Sequence, residues 1–107
     1  MKAKDELLVH IRKIKHGVVQ PNEGITIYAK RDKVTHDYFW VTVAQCGKRD
    51  IFNKKIARAI VEGRMVCTRT KKTMMNKEVL KNMLLSNDEK YAKGAHQGLF
   101  TKLLSRV

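Results

Sequence analysis

The sequence predicts an α+β fold: a small antiparallel sheet of two or three strands packed against a basic amphipathic helix, with a helical C-terminal segment. Three observations predict it. Gly24–Lys30 and Tyr38–Cys46 alternate with period two and are rich in β-branched and aromatic residues, the pattern of half-buried strands. Directly after them, residues 48–64 place apolar side chains at helical spacing. Beyond residue 65 two more apolar stripes step by three and four. At 107 residues the chain has the length of one domain, divided into 1–47 mostly β, 48–64 the basic helix and 65–107 mostly helical.

Residues 1–16 fit two readings. Leu7, Ile11 and Ile14 make a helical face with Asp5 as cap and Gly17 as stop. Leu7, Val9 and Ile11 also alternate with Leu8, His10 and Arg12, as in a strand. The strand reading is favoured, because the hairpin that follows needs a third strand to be stable. Val18–Gly24 holds the only proline, Pro21, with Asn22 and Gly24, and reads as loop.

In the first strand of the hairpin Ile25, Ile27 and Ala29 share a face. In the second, Phe39, Val41 and Val43 oppose Tyr38, Trp40, Thr42 and Ala44. The polar link RDKVTHD is short enough for a hairpin. Packing accounts for the aromatics; the alternative is a stacking platform for bases made by Tyr28, Tyr38 and Trp40.

Asp50 is the expected N-cap of the helix. Phe52, Ile56, Ile60 and Gly63 form one face, widened by Ile51, Ala59 and Val61, and Gly63 is the expected stop. This face should cover Ile25, Ile27, Val41 and Val43, leaving Lys54, Lys55 and Arg58 toward solvent. Met65–Thr70 is a weak strand candidate, followed by polar surface at Lys71, Lys72 and Thr73. Asn76 is placed to cap a short helix carrying Val79, Leu80, Met83 and Leu84, which Ser86–Glu89 should end. Leu99, Phe100, Leu103, Leu104 and Val107 form the last stripe, expected to pack on its own domain.

The charge is one-sided: 23 Lys and Arg against 10 Asp and Glu, a net +13, with pI about 10.1. Self-repulsion of this kind opposes folding and points to an acidic partner. More than half of the excess lies in residues 48–72, where Lys48, Arg49, Lys54, Lys55, Arg58, Arg64, Arg69, Lys71 and Lys72 face only Asp50 and Glu62. The helix N-terminus at Asp50–Asn53 would add backbone N–H groups for a phosphate. Such an array predicts salt-dependent phosphate contact with DNA or RNA. The alternative is an acidic protein surface, with the Leu99–Val107 stripe or the aromatic hairpin face as an apolar anchor.

Other chemistry has little support. Zinc sites need about four ligands in paired close spacing, and Cys46 and Cys67 stand apart with no His near either, so two reduced thiols and no metal or cofactor are expected. The acids are dispersed, at turns and helix starts, rather than clustered around metal ions. His10, His16 and His36 are the only candidate bases for metal-free RNA cleavage. Cys67 has basic neighbours but no catalytic partner, and no Gly-rich phosphate loop exists. No catalytic residue is therefore assigned, and a non-enzyme is expected. No apolar run approaches the roughly 18 residues of a membrane span. Residues 1–13 do not have the pattern of a secretory leader, so a cytoplasmic protein is expected, as a monomer or a homodimer.

The segment Phe52–Arg64, F-N-K-K-I-A-R-A-I-V-E-G-R, following a hairpin, resembles small accessory proteins of tailed bacteriophages. Those carry an F-x-K/R-K-I/L-x-R-x-I-A-x-G-R helix after two or three strands. The resemblance spans residues 24–64, with Ala57 where such sequences often have glycine. It implies a phage or mobile-element origin, hence the host cytoplasm. Small phage proteins commonly bind nucleic acid or disable a host enzyme or defence system, so the acidic partner of the second reading would be a host protein.

Overall fold

The computed structural model describes residues 5–67 and 71–107. Strands β1 (Glu6–Ile11), β4 (Ile25–Arg31), β5 (Tyr38–Gln45) and β6 (Thr73–Asn76) form one antiparallel sheet in the order β1-β4-β5-β6. The register pairs Ile11 with Ile25, Ile25 with Gln45, and Val41 with Thr73. The two short strands β2 (Ile14–Lys15) and β3 (Val18–Val19) make a separate ribbon. His16 and Gly17 between them have φ of 53° and 77°, the pair of left-handed residues that a two-residue hairpin turn needs. The helices are α1 (Lys54–Val66), α2 (Lys77–Asn87) and α3 (Gln97–Leu104), with a π-helical turn at Asp88–Ala92 running on from α2.

The hairpin and the N-terminal strand form where period two predicts them. Leu7, Val9, Ile11, Ile25, Ile27, Ala29, Phe39 and Val41 are buried on one sheet face. The cover of that face differs from expectation. It comes from the C-terminal half: Leu80, Leu84, Tyr91, Ala92, Phe100 and Leu104 complete this core. The C-terminal stripe thus packs on its own domain, although Leu99 is exposed. Each buried Leu or Phe among them contributes about 1.5–3 kcal/mol by leaving water.

Helix α1 instead lies on the opposite face, over the buried Thr26, Thr42 and Ala44. Its inward residues are Val61 and Met65. Of the expected inward face Phe52 and Val61 are buried, while Ile56 is 60% and Ile60 42% exposed. Phe52 lies edge-on to His10, under the Arg12 guanidinium. A Cβ on Gly24 would fall 2.1 Å from the Phe52 ring, so glycine is required there by close approach.

The caps and connections also differ from expectation. Asn53, not Asp50, caps α1, its side chain accepting from the N–H groups of Lys55 and Ile56. The helix passes through Gly63 to Val66, so Met65 and Val66 are helical rather than strand, and Thr68–Thr70 lie outside the described residues. Thr73–Asn76, expected as polar surface and a cap, adds the fourth strand. Val18 and Val19, expected in a loop, belong to the ribbon. Asn76 does cap α2, accepting from Val79 N–H at 2.8 Å. α2 ends at Asn87, within Ser86–Glu89 as expected, but the chain widens into the π-turn, where the fully buried Asp88 accepts the His96 N–H at 3.0 Å. Among the described residues no helix is long and apolar enough to cross a membrane.

Candidate nucleic-acid interface

The cations expected to form the site start in the connection from β5 to α1. Gly47–Asp50 is a tight turn in which the Asp50 N–H donates to the Gly47 carbonyl at 3.3 Å. Lys48 and Arg49 therefore occupy its corner. Asn22 pins the turn by donating to the Lys48 carbonyl, and the Cys46 thiol donates to the Asp50 carbonyl at 3.0 Å. Four residues later α1 begins, with Lys54 and Lys55 in its first turn and Arg58 one turn on. All five cations are exposed. Arg58 donates to Glu62 at 3.1 Å on the surface, a pair of small net strength. The described residues bring no carboxylate within ion-pair distance of Lys48, Arg49, Lys54 or Lys55.

A helical wheel divides α1 into three faces at 100° per residue. Val61 and Met65 face the sheet. Arg58 and Glu62 look over β4, close enough to influence Tyr28. Ile56, Ile60 and Arg64 step by four along the other flank. There Arg64 Nη1 donates to the Val43 carbonyl, on the part of β5 that extends beyond the pairing with β6. Ile51, Ile56 and Ile60 line a groove of about 360 Å³ with Ala44, Gln45 and Cys46. The sequence suggested one cationic and one buried face; the fold adds an exposed apolar flank.

The other expected site residues separate by environment. Arg64 is half-buried and committed to Val43. Lys72 donates to the Met65 carbonyl at 2.9 Å and sits over the Trp40 ring at 4.9 Å. Lys71 is exposed with a left-handed φ of 77°. Arg69 lies outside the described residues. The expected helix-terminal phosphate cradle is partly filled, because Asn53 already accepts from Lys55 N–H and Ile56 N–H at 2.9 and 3.1 Å.

Among the aromatics, Tyr38 is 42% exposed. Trp40 has one ring face occupied by Lys72, and its indole N–H donates to Asp32 at 3.0 Å. Burial first, then the charge and hydrogen bond of Glu6, push the Tyr28 phenol up. Of these three rings only that of Tyr38 is exposed, Tyr28 and Trp40 being half-buried.

Asp32 organises the hairpin loop beside Trp40. Its carboxylate accepts the Thr35 N–H at 2.9 Å and hydroxyl at 2.8 Å as well as the indole. The Thr35 bonds, then the indole, lower its pKa from 3.8 to about 2, since all three donors favour the charged form. A carboxyl depressed on folding gives stability that is present in full above the unfolded-state value and lost as pH falls through the folded one. The emission of Trp40, the only tryptophan, should shift with a midpoint near pH 2 and lose that transition in D32N. A wild-type midpoint near pH 4 would show that these donors do not hold the carboxylate.

Neither Cys46 nor Cys67 is in a disulfide. Among the described residues no three His, Cys, Asp or Glu are grouped to hold a metal. His10 is tied to the Thr26 hydroxyl at 2.7 Å. His36 lies in the β4–β5 loop, beyond the far end of β4 from Thr26, so the fold does not pair these two candidate bases. Sequence reading missed Lys13 and Lys90, which the fold brings next to Lys48; their separation along the chain gave no signal. Comparison with protein-family models, curated proteins and solved structures finds no match.

Proposed function

We propose that this chain is a nucleic-acid-binding accessory or regulatory factor that contacts phosphates of DNA or RNA through the Gly47–Asp50 turn and the adjoining surface of α1. One observation carries the reading. Lys48, Arg49, Lys54, Lys55 and Arg58 stand exposed along the β5–α1 connection and the first two turns of α1, and only Arg58 has an ion-pair partner among the described residues. Cations that mostly lack internal partners suit a polyanion, whose bound counterions they displace. The reading places the protein in the cytoplasm, that of a host cell if it is phage-encoded, and assigns it no chemistry.

Fluorescent single- and double-stranded oligonucleotides test this. Five phosphate contacts predict that log K falls with log salt at a slope of about 4.5 on a duplex and about 3.5 on a single strand. Absence of binding near 50 mM salt overturns the reading.

A second reading is favoured by the Ile51–Ile56–Ile60 groove: a phage-encoded inhibitor or adaptor that binds an acidic surface of a host protein. Exposed isoleucines add nothing to phosphate contact, but they would form the apolar centre of a protein interface with a basic rim. Capture from lysate with and without nuclease separates the two. Nuclease-sensitive capture supports the first reading; one protein retained after nuclease, and lost in I56S/I60S, supports the second.

A further inference from the structure

We infer that the cleft behind the Gly47–Asp50 turn is a second phosphate-binding site, which receives the continuation of the nucleic-acid strand held by α1; this rests on the nucleic-acid reading above. Three lysines from three separate segments line the cleft. Lys13 comes from the link between β1 and β2, Lys48 from the turn, and Lys90 from the π-turn. The cleft encloses about 430 Å³, within the range of roughly 300–1,000 Å³ seen for ligand clefts.

The lysines of the cleft outnumber its one carboxylate three to one. The ammonium groups of Lys13 and Lys90 both approach the Tyr91 ring, at 5.6 and 5.4 Å from its centroid. The ring attracts each cation, but it does not cancel their repulsion. Glu23 also lines the cleft, yet no carboxylate of the described residues lies within 4.0 Å of Lys13, Lys48 or Lys90. Like charges gathered in a concave surface raise the positive potential there. A bound phosphate would relieve it.

The floor and the lysines are held in place. Tyr91 is buried, and its hydroxyl accepts from Gln45 Nε2 at 2.6 Å. Lys90 and Tyr91 both belong to the five-residue π-turn, a local rearrangement that often marks functional positions. Asp88 fixes that turn from inside, its carbonyl accepting the Gly94 N–H at 3.3 Å and its carboxylate the His96 N–H. Lys48 belongs to both surfaces. A strand bound along the turn would therefore continue into this cleft past Lys48.

The test is oligonucleotide anisotropy across a salt series with the full chain. K13Q/K90Q removes two cations, and the salt slope should fall by about 1.4 on a single strand and about 1.8 on a duplex. K13R/K90R keeps the charges and should keep the slope. K33Q/K102Q removes the same charge from the exposed β4–β5 loop and α3, and should change the slope by much less. A slope unchanged in K13Q/K90Q, or reduced equally in K33Q/K102Q, overturns the cleft and leaves the α1 reading standing. Failure of the unmodified chain to bind any oligonucleotide overturns both.

Discussion

Replacing Phe100 with alanine is expected to bring the domain close to its unfolding limit. Phe100 is 0% exposed and belongs to the core formed with Leu80, Leu84, Leu104 and the strands. Its ring also lies 5.8 Å from that of His96, tilted by 47°. Truncating a buried phenylalanine costs about 3–5 kcal/mol, from lost transfer energy and the cavity left behind. A domain of this size has about 5–15 kcal/mol in total. The neighbouring Leu99 is 50% exposed, and Leu99→Ala should cost about 1 kcal/mol or less. Urea unfolding of the two variants measures the contrast, as midpoints shifted at unchanged slope. Equal losses would mean that α3 is not docked through Phe100.

That pair of residues marks where the sequence was legible and where it stopped being so. The apolar stripe from Leu99 to Val107 announced a helix, but its spacing could not say which of two adjacent large residues points inward. The hairpin was clear because Ile25, Ile27, Phe39 and Val41 repeat with period two. The layer order was not. A sheet covered on both faces carries buried residues at consecutive positions, and here Ile25, Thr26 and Ile27 are all buried. Alternation then cannot assign a helix to a face.

Helix α1 was ambiguous for a related reason. It carries two apolar rows, Phe52–Ile56–Ile60 and Ala57–Val61–Met65. The first has the larger side chains, and it wins if the helix stops at Gly63. The second wins because the helix continues. Gly63 has open space around its Cα, and a helical glycine costs only about 1 kcal/mol relative to alanine, which burial of Met65 offsets. Strand β6 was illegible because four residues, TMMN, become a strand only when β5 offers its edge. The basic turn and the start of α1 could be read directly from charge. The cleft lysines could not, since only the folded chain brings Lys13 and Lys90 to one ring.

Reversing Lys54 and Lys55 to glutamate should weaken nucleic-acid binding by about 50-fold or more while slightly stabilising the fold. Both lysines lie in the first turn of α1, where there is no acidic residue. The helix dipole places partial positive charge at that end, so cations there are unfavourable and acids favourable by about 0.3–1 kcal/mol each. Neither lysine has an ion pair among the described residues to offset this. The fold therefore gains nothing from them, which argues that their charge serves something outside the chain. For binding the sign is opposite. At 0.1 M salt each phosphate contact is worth about eightfold, so losing two weakens affinity on the order of 50-fold, and the added repulsion weakens it further. Thermal unfolding and oligonucleotide anisotropy on the same K54E/K55E sample measure both effects. A variant that is more stable and binds as tightly as the unmodified chain removes α1 from the phosphate surface. The Ile51–Ile56–Ile60 groove would then be left as the face through which this protein meets its partner.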